Sequence, residues 1–516
     1  MVARGAFDLH FFAEVFFPHY CTHPFNAFHY SYFEDYSLGE RAIRRVRAAP
    51  RGSAKSTLIT LVNPLHDVCY GLENFIVFIS NTAPLSEQKV KDIRDEIINN
   101  RMLVDTFGLR FSRKASGQTQ FILENGDGHR VLFMPFGKGA SVRGVRFGPH
   151  RPSKIICDDV EKSEEVLNER IRDKDARWLY GDVTKAGNEN TNVEFVGTTL
   201  HRDSLLEKLL VNPKYEGRKF RSVISWSEHE ELWDQWRTIY MNIDNDNRQL
   251  EALAFFELHK EQMLKGTEVM WPEKEPYYYL MEEMLEIGRR MFFQEKQNEA
   301  LGSEDKVFTE FHWYKEEPGG IRIESNGMLI PWDELRGSGI AAIDPATGQE
   351  KPKKGQLGDY TCIPIAYQDR RGRIFVHHDY TKRTPPTKYI GEVFELYERF
   401  GFHRIGVETN LYRDLLTDNL KAEMVKRNNQ RKAGDIRLKF YEITQSENKH
   451  GRIFRLEPKV THGWILFNRA LSQEFKNMLF DYPHADHDDG PDALEMLWEM
   501  SHHRYSAGGV NVSATR

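Results

Sequence analysis

The sequence predicts an α/β protein of two successive domains, each built on short apolar strands that end in polar residues. Two observations support this fold class. A basic, glycine-containing turn at 49–57 leads into an apolar helix, and a second set of strands, beginning near residue 336, carries acidic residues at its ends. In α/β folds, binding and catalytic groups lie at the carboxyl ends of the strands. At 516 residues, the chain is long enough for about two to four domains with their own cores.

The turn at 49–57 is close to the phosphate-binding pattern G-x-x-x-x-G-K-[ST]. In that pattern backbone amides hold phosphates, the lysine reaches the terminal phosphates and the hydroxyl binds Mg²⁺. Lys55 and Ser56 are in place, whereas Ala49 and Ala54 replace both glycines. We expect alanine to be tolerated because φ stays negative there, as at the start of a helix. The predicted nucleotide-binding residues are Pro50, Arg51, Gly52, Ser53, Ala54, Lys55, Ser56 and Thr57.

Two more strands end in residues that would complete a nucleotide site. The apolar run 154–157 ends in Asp158 and Asp159, which predicts a buried strand that delivers Asp158 to Mg²⁺ and Asp159 to the attacking water. Glu161 is a rival for the second role because Asp159 has a short side chain. Thr198 ends a third strand, where its hydroxyl could sense the γ-phosphate. These strand ends favour a P-loop ATPase of the ASCE type over a basic turn and a solvated acidic turn.

Composition excludes several other classes of protein. The chain is 40% hydrophobic and 29% charged, which is typical of a soluble globular protein. No apolar run approaches the ~20 residues of a membrane span, and the N-terminus lacks the features of a signal peptide. The cysteines are too far apart in sequence to suggest a zinc cluster or a disulfide frame. We therefore expect a protein of a reducing cytoplasm with no membrane partner.

The net charge of −6 hides a local basic segment. Residues 129–157 contain no acid, and several glycines predict a mobile loop. A solvated basic face is one interpretation; contact with phosphates of DNA, or of nucleotide across a subunit interface, is the other. Arg143 is our candidate arginine finger for a neighbouring subunit, and Arg51 is the competing candidate in cis. The basic residues of the segment are Arg130, Lys138, Arg143, Arg146, Arg151 and Lys154.

The second half of the chain places acids where a divalent metal could bind. Asp344 ends one predicted strand, Glu408 ends a later one, and Asp488 stands at the entry to the last helix. Three strands, a helix, a further strand and a final helix, with acids at these places, predict an RNase H-like nuclease that uses two Mg²⁺ or Mn²⁺ ions. Each acid taken alone could instead be a helix cap. The second-line ligands or orienting residues are Asp359, Asp489 and Asp492.

The predicted domains follow from these motifs. We assign 1–300 to the ATPase domain, with 226–300 as helices that close it, and 301–335 to a hinge or linker. Residues 336–504 form the predicted nuclease domain, and the small, polar stretch 505–516 is a predicted flexible tail.

The chain resembles the large terminase subunit of tailed bacteriophages over most of its length. No single motif is specific, but their order and spacing together are. The motifs that carry the resemblance are Pro50–Thr57, Val142–Gly144, Ile155–Glu161, Gly197–His201, Phe293–Asn298, Ile343–Ala346, and His487–Asp489 with Asp492–Leu494.

The resemblance implies a motor that uses ATP and Mg²⁺ to move double-stranded DNA into a procapsid, and a nuclease that cuts concatemeric DNA. It implies further partners, namely the portal protein and a small terminase subunit, and a ring of copies at the portal vertex. Such a protein would work in the host cytoplasm, visit the portal vertex transiently and be absent from the mature virion. The alternative is a helicase-like remodelling ATPase whose second domain is a non-catalytic RNase H-like binding module.

Overall fold

A computed structural model describes residues 1–163, 165–300, 306–345, 360–408, 413–431, 434–443, 449–485 and 487–502. Asp359, the predicted hinge residues 302–305 and the predicted tail 505–516 lie outside these ranges. Among the described residues, no helix combines the length and the apolar character needed to cross a membrane.

The strands, in chain order, are β1 Arg44–Ala48, β2 Phe75–Ser80, β3 Arg110–Ser116, β4 Phe121–Glu124, β5 Arg130–Gly137, β6 Lys154–Asp158, β7 Asn192–Gly197, β8 Glu216–Lys219, β9 Val223–Ser225, β10 Glu268–Val269, β11 His312–Glu317, β12 Gly320–Ile323, β13 Leu329–Pro331, β14 Ile340–Ile343, β15 Thr361–Gln368, β16 Ile374–Lys382, β17 Arg404–Glu408, β18 Lys439–Ile443 and β19 Ile465–Asn468.

The α-helices are α1 Val2–Phe7, α2 Leu9–Phe16, α3 Ala27–Glu34, α4 Asn63–Cys69, α5 Ala83–Asn99, α6 Arg101–Phe107, α7 Glu169–Trp178, α8 Thr184–Ala186, α9 Leu205–Leu210, α10 Glu230–Met241, α11 Arg248–Met263, α12 Tyr277–Ile287, α13 Arg289–Gln297, α14 Trp332–Leu335, α15 Pro386–Phe400, α16 Arg413–Gln430, α17 Lys449–Phe454, α18 Glu457–Thr461, α19 Gln473–Phe480 and α20 Asp489–His502. Turns of π-helix span Thr57–Val62 and Leu179–Val183, and a 3₁₀ turn spans Glu165–Leu167.

The chain divides into two compact units. The first unit is built on an eight-stranded sheet of order β3-β4-β5-β2-β6-β7-β1-β8, in which the six strands β5-β2-β6-β7-β1-β8 are parallel to one another. The strand before the phosphate-binding turn therefore lies between β7 and β8, and β6 lies next to β7. This is the strand order of an ASCE-type ATPase, so the fold predicted for the first domain is confirmed.

Both faces of the first sheet are covered, which explains why its central strands are apolar without interruption. Every residue of β2 is buried. Ile76 and Phe78 pack into one cluster with residues of the N-terminal helices such as Phe12, while Val77 and Ile79 pack into the cluster on the opposite face. Packing on both faces holds the sheet rigid and so fixes the carboxyl ends of its strands, where the predicted nucleotide residues lie.

The second unit is built on a nine-stranded sheet of order β13-β12-β11-β19-β16-β15-β14-β17-β18. Strands β14, β15 and β16 pair antiparallel, while β17 and β18 continue from β14 in parallel. The order β16-β15-β14-β17-β18 is that of an RNase H-like sheet, so the fold predicted for the second domain is also confirmed. Helix α20 packs against β14 and β15, which brings its first turn close to the end of β14.

The unit boundaries differ from the predicted segments in two places. The segment 306–335, expected to be linker, contains β11, β12, β13 and α14, because Tyr314, Ile321 and Ile330 are buried in an antiparallel meander. Residues 230–260, expected to close the first domain, group with the second unit. There the indole nitrogen of Trp464 donates to the Met241 carbonyl at 3.1 Å. Neither feature has a local sequence signal that assigns it to one domain.

Candidate nucleotide and metal sites

The phosphate-binding turn follows β1 directly and leads into a buried helix. Lys55 opens that helix and is only 6% exposed. The first helical hydrogen bond runs from the Leu58 amide to the Ala54 carbonyl at 3.2 Å. Because the free amides of a helix N-terminus attract anions, this turn is oriented to bind phosphate.

Ala54 differs from the sequence expectation. Its φ is +59°, close behind Gly52 at +85°, so the turn uses the left-handed region twice. The expectation that alanine is tolerated because φ stays negative is therefore wrong for Ala54. A left-handed alanine costs about 1–2 kcal/mol, and the turn carries that strain where the common pattern has glycine.

Asp158, at the end of β6, is 1% exposed. One of its carboxylate oxygens, Oδ2, pairs with the ammonium of Lys89 on α5. The other, Oδ1, is buried without a hydrogen-bond partner in the described part of the chain, and the same is true of the Ser53 hydroxyl in the turn. An unpartnered buried carboxylate oxygen near a phosphate-binding turn fits Mg²⁺, a hard cation that prefers oxygen ligands.

Asp159 turns into the same cleft, because its φ is +48° and its amide donates to the Val196 carbonyl at 3.1 Å. Burial raises the pKa of Asp159, the adjacent Asp158 carboxylate raises it further, and Lys55, Lys89 and Arg51 oppose the shift. The carboxylate of Asp159 therefore lies among the charges of the nucleotide site. This is the position expected of a group that orients water.

Glu161 does not share that position. Its two carboxylate oxygens accept hydrogen bonds from the amides of Leu205 and Leu206, at 2.7 and 3.0 Å. These are free amides in the first turn of α9, so Glu161 caps that helix. Both oxygens of Glu161 thus make capping hydrogen bonds, whereas Asp159 lies among the charges of the nucleotide site.

Thr198 lies beside the start of the phosphate-binding turn, where its hydroxyl donates to the Ala49 carbonyl at 3.5 Å. Its neighbour Thr199 is more firmly held. The Thr199 amide donates to the Asn298 side chain at 2.9 Å, and the Thr199 hydroxyl donates to Glu207 at 2.8 Å. The end of β7 is thus connected both to the turn and to the segment that follows α13.

The end of α13, singled out by sequence only as part of a hinge region, contacts the phosphate-binding turn. The Arg51 amide donates to the Glu295 carbonyl at 2.8 Å, and the Arg51 guanidinium lies 3.5 Å from the Glu295 carboxylate. Lys296 donates to the Arg51 carbonyl at 3.3 Å. Arg51, the candidate finger in cis, is therefore held by Glu295. No local sequence pattern indicates this pairing.

The basic segment 129–157 divides into inward and outward residues. Lys154 is buried and lies 2.7 Å from Asp67, and Lys138 lies 2.8 Å from Asp175, so neither presents a free charge to DNA. Arg143 is exposed, on a turn between buried Val142 and Gly144, whose φ is +84°. The Arg143 side chain therefore points to solvent in the described chain.

In the second unit three acids converge. Asp344, Glu408 and Asp492 each offer a carboxylate oxygen, and these oxygens lie within 4.8 Å of one another. Asp344 directly follows β14, where it exchanges two backbone hydrogen bonds of 3.0 Å with Cys362. Glu408 ends the neighbouring parallel strand β17. Burial, followed by the Asp492 carboxylate, raises the pKa of Asp344 well above its usual value, whereas Lys449 opposes the shift. Converging carboxylates of this kind fit a divalent cation.

Asp488, the expected third ligand, lies outside this group of described acids, and Asp492 takes its place. The Asp488 carbonyl accepts from the Asp492 amide at 3.1 Å, so Asp488 stands just before the first turn of α20 and Asp492 within it. The Asp488 side chain is 38% exposed, against 4% for Asp492. The Asp489 carboxylate instead accepts a hydrogen bond from the Tyr360 amide at 3.4 Å. The phase of the helix decides which acid points inward.

Two cations, missed by the sequence-based prediction, hold the third acid. Lys449 lies 2.8 Å from Asp488 and 3.1 Å from Asp492, and Arg452 lies 3.1 Å from the other oxygen of Asp492. Burial lowers the pKa of Lys449, but Asp492, Asp344 and Asp488 raise it by more. Both cations lie on α17, three residues apart and thus on one face of the helix. The three-residue spacing of these two basic residues is the one signal in the sequence that could have indicated them.

No protein-family model and no curated protein matches the chain. Solved structures are similar to it over most of its length. The large terminase of a thermophilic bacteriophage, in complex with ADP, aligns at 8% identity and a TM-score of 0.47, covering 92% of this chain and 99% of that one. The large terminase of bacteriophage HK97 aligns at 11% identity and a TM-score of 0.34, covering 96% and 99%.

The human cytomegalovirus terminase nuclease domain aligns at 12% identity and a TM-score of 0.25, covering 31% of this chain and 82% of that one. All three of these proteins are terminases or a terminase domain.

Proposed function

We propose that this protein is a large terminase, an ATP-driven motor that packages double-stranded DNA and also cuts it with a metal-dependent nuclease. The observation that carries the proposal is the presence, in one chain, of two sites on two different sheets. One is the cleft of Lys55 and Asp158 on an ASCE-type sheet, and the other is the cluster of Asp344, Glu408 and Asp492 on an RNase H-like sheet.

In the ATPase site, each residue has a role that its position supports. Lys55 and the amides of the turn bind the β- and γ-phosphates of ATP, and Ser56 with Asp158 would hold Mg²⁺. The metal supplies charge for the phosphates when bound. Asp159 orients the attacking water, and it is the better candidate because both oxygens of Glu161 are already engaged in capping α9. Thr198 reports the phosphate state from the end of β7.

The arginine that completes the site is Arg143, donated in trans by a neighbouring copy in a ring. Its exposure on a glycine-flanked turn supports this, while Arg51, whose side chain is 75% exposed, has the Glu295 carboxylate 3.5 Å from its guanidinium. An arginine finger is worth about 10³–10⁵ in rate. Mixing Arg143→Ala subunits with Lys55→Ala subunits tests the proposal. Activity should partly return, because some interfaces join an intact nucleotide site to an intact finger. If no mixing ratio restores activity, Arg143 does not act in trans.

In the nuclease site, Asp344, Glu408 and Asp492 would hold the divalent ions. The metals supply an activated water and stabilise the leaving oxygen when bound. Lys449 and Arg452 pair with the two oxygens of Asp492 and so fix the direction of its carboxylate. We propose two ions, Mg²⁺ or Mn²⁺, as in other two-metal nucleases.

The partners that follow from this function are the DNA, the portal protein of the procapsid and a small terminase subunit. The protein would act in the host cytoplasm, at the portal vertex during packaging only, and would not remain in the mature virion. The copies would form a ring when docked, which the proposed trans role of Arg143 requires.

One experiment separates this function from its alternative, a DNA-remodelling ATPase with a non-catalytic second domain. Purified protein is incubated with supercoiled plasmid and Mn²⁺ without ATP, and ATPase activity is measured in parallel with and without DNA and portal-bearing procapsids. Terminase function predicts plasmid cleavage and ATP hydrolysis that DNA stimulates. An active ATPase with an uncut plasmid would favour the alternative, and an inactive ATPase would contradict both.

A further inference from the structure

We propose that Lys89 is a functional cation of the nucleotide site, which compensates the charge of Asp158 through one carboxylate oxygen until a divalent ion binds the other. This inference rests on the proposed ATPase site and adds a positioning residue to it. Lys89 lies in a helix that carries no recognised motif.

The geometry is unusual for a surface lysine. Lys89 is in the second turn of α5, and its ammonium ion-pairs with Oδ2 of Asp158. The Lys89 side chain is 17% exposed and that of Asp158 is 1% exposed. Lys89 is thus the cation that pairs with this carboxylate. The other oxygen, Oδ1, is buried without a hydrogen-bond partner among the described residues.

Electrostatics explains why such a cation is needed. A carboxylate that is buried without a counter-charge is strongly disfavoured, and removing one member of a buried ion pair destabilises a protein. Asp158 must stay ionised to receive a divalent ion. Lys89 therefore compensates Asp158 when no metal is bound, and a doubly charged ion can take over that role because it compensates the same carboxylate more strongly.

A consequence for the ATPase follows from this competition. Free Mg²⁺ meets a carboxylate whose charge Lys89 already compensates, whereas Mg²⁺ that arrives with ATP also gains the contacts that the nucleotide makes with Lys55 and the turn. Lys89 thereby favours loading of the metal together with the nucleotide. Lys89 acts through Asp158, so it is a positioning residue and not a catalytic one.

Thermal unfolding of the full chain without nucleotide tests the competition, in EDTA and in excess MgCl₂. In EDTA, Lys89→Met should lower Tm on the order of 5 °C, because Asp158 loses its counter-charge. Excess Mg²⁺ should restore most of that loss. Wild type should respond less to Mg²⁺, since Lys89 already fills the role, and Lys89→Arg should behave like wild type.

Lys138→Met is the matched control. Lys138 is another lysine with little exposure (10%) that pairs with acids, namely Glu165 and Asp175, and not with Asp158. Its loss should lower Tm equally with and without Mg²⁺. Because the acids around Asp344 are intact in this variant, any change in its Tm on adding Mg²⁺ measures the stabilisation by metal bound there. The double variant Lys89→Met, Asp158→Asn should lose the Mg²⁺-dependent recovery.

The outcomes distinguish the alternatives. A Tm loss in Lys89→Met that Mg²⁺ does not restore more than in Lys138→Met would make Lys89 purely structural and overturn the proposal. No loss in EDTA would overturn it too. Because the readout uses no ATP, it stays informative if the protein proves not to hydrolyse ATP, which would contradict the proposed function and not the role of Lys89.

Discussion

The nucleotide cleft and the acid cluster both place carboxylates at strand ends and both hold a lysine against them, but they differ in how the charges are shared. In the cleft, Lys89 pairs with one oxygen of Asp158 and leaves the other without a partner among the described residues. In the cluster, Lys449 and Arg452 engage both oxygens of Asp492, while Asp344 lies beside further acids.

This difference in charge predicts under which conditions each site binds a metal ion. One acid balanced by one lysine is nearly neutral, so a metal there gains chiefly when phosphates arrive with it. In the cluster the neighbouring acids disfavour the ionised form of Asp344 and raise its pKa, and a divalent ion relieves that repulsion directly. The cluster should therefore bind metal without nucleotide, whereas the cleft should not.

The largest expected effect comes from Lys55→Ala, which removes the phosphate-binding ammonium from the cleft only. ATP hydrolysis should fall by about 10²–10³-fold or more, because a preorganised charge on the phosphates is lost. Plasmid cleavage with Mn²⁺ should be unchanged. A steady-state ATPase assay beside a gel cleavage assay measures both. Normal hydrolysis in this variant would contradict the assignment of the turn.

Substitutions in the acid cluster test the nuclease site and the choice between Asp492 and Asp488 as its third ligand. Asp344→Asn and Asp492→Asn should each reduce plasmid cleavage by at least about 10²-fold, since each removes a ligand charge, while DNA-stimulated ATPase remains. Asp488→Asn is the matched control on the same helix entry and should cost far less, because Asp488 is outside the converging group. Equal losses at Asp488 and Asp492 would mean that both ligate metal.

The pH dependence of stability should show the effect of a buried histidine of the first unit, His66, which belongs to neither acidic site. Burial lowers the pKa of His66 to about 4, although a hydrogen bond to the Gly5 carbonyl opposes this. The unfolded chain therefore binds more protons between pH ~6.5 and ~4, and stability falls as the pH falls through that range. The loss is about 3 kcal/mol at most.

His66→Gln should abolish that part of the pH dependence, although the variant will be less stable at pH 7 because it loses contacts with Gly5 and Tyr36. Urea unfolding at several pH values gives the slopes. If wild type and His66→Gln lose stability in parallel, His66 is not the group responsible.

The smallest expected effect is a gain. Ala54→Gly should stabilise the first unit by roughly 0.5–1 kcal/mol, because relief of left-handed strain exceeds the entropy cost of glycine. Ala49→Gly is the control: Ala49 has no positive φ and is buried, so this change should destabilise. Urea unfolding measures both. A loss of stability in Ala54→Gly would show that the alanine methyl contributes packing that outweighs the strain.

The features predicted correctly from sequence are those that local pattern determines. Apolar runs that end in Asp158, Asp344 and Glu408 predict strand ends, and parallel pairing then places such acids at one edge. The choice of Asp492 over Asp488 depends on helix phase and on Lys449 from another segment. Lys89 meets Asp158 from 69 positions away in the chain, which no local pattern indicates. The left-handed φ of Ala54 results from closing the turn between β1 and the helix.

The end of α13 has a mechanical consequence. The Glu295 carbonyl is bound to the Arg51 amide and the Asn298 side chain to the Thr199 amide, and the chain leaves the first unit a few residues later. Tension drawn along the backbone from that exit loads these two hydrogen bonds before it loads any strand of the sheet. For a pull exerted from that exit, which is one of three places where the chain leaves the first unit, the nucleotide turn and the end of β7 would be loaded first.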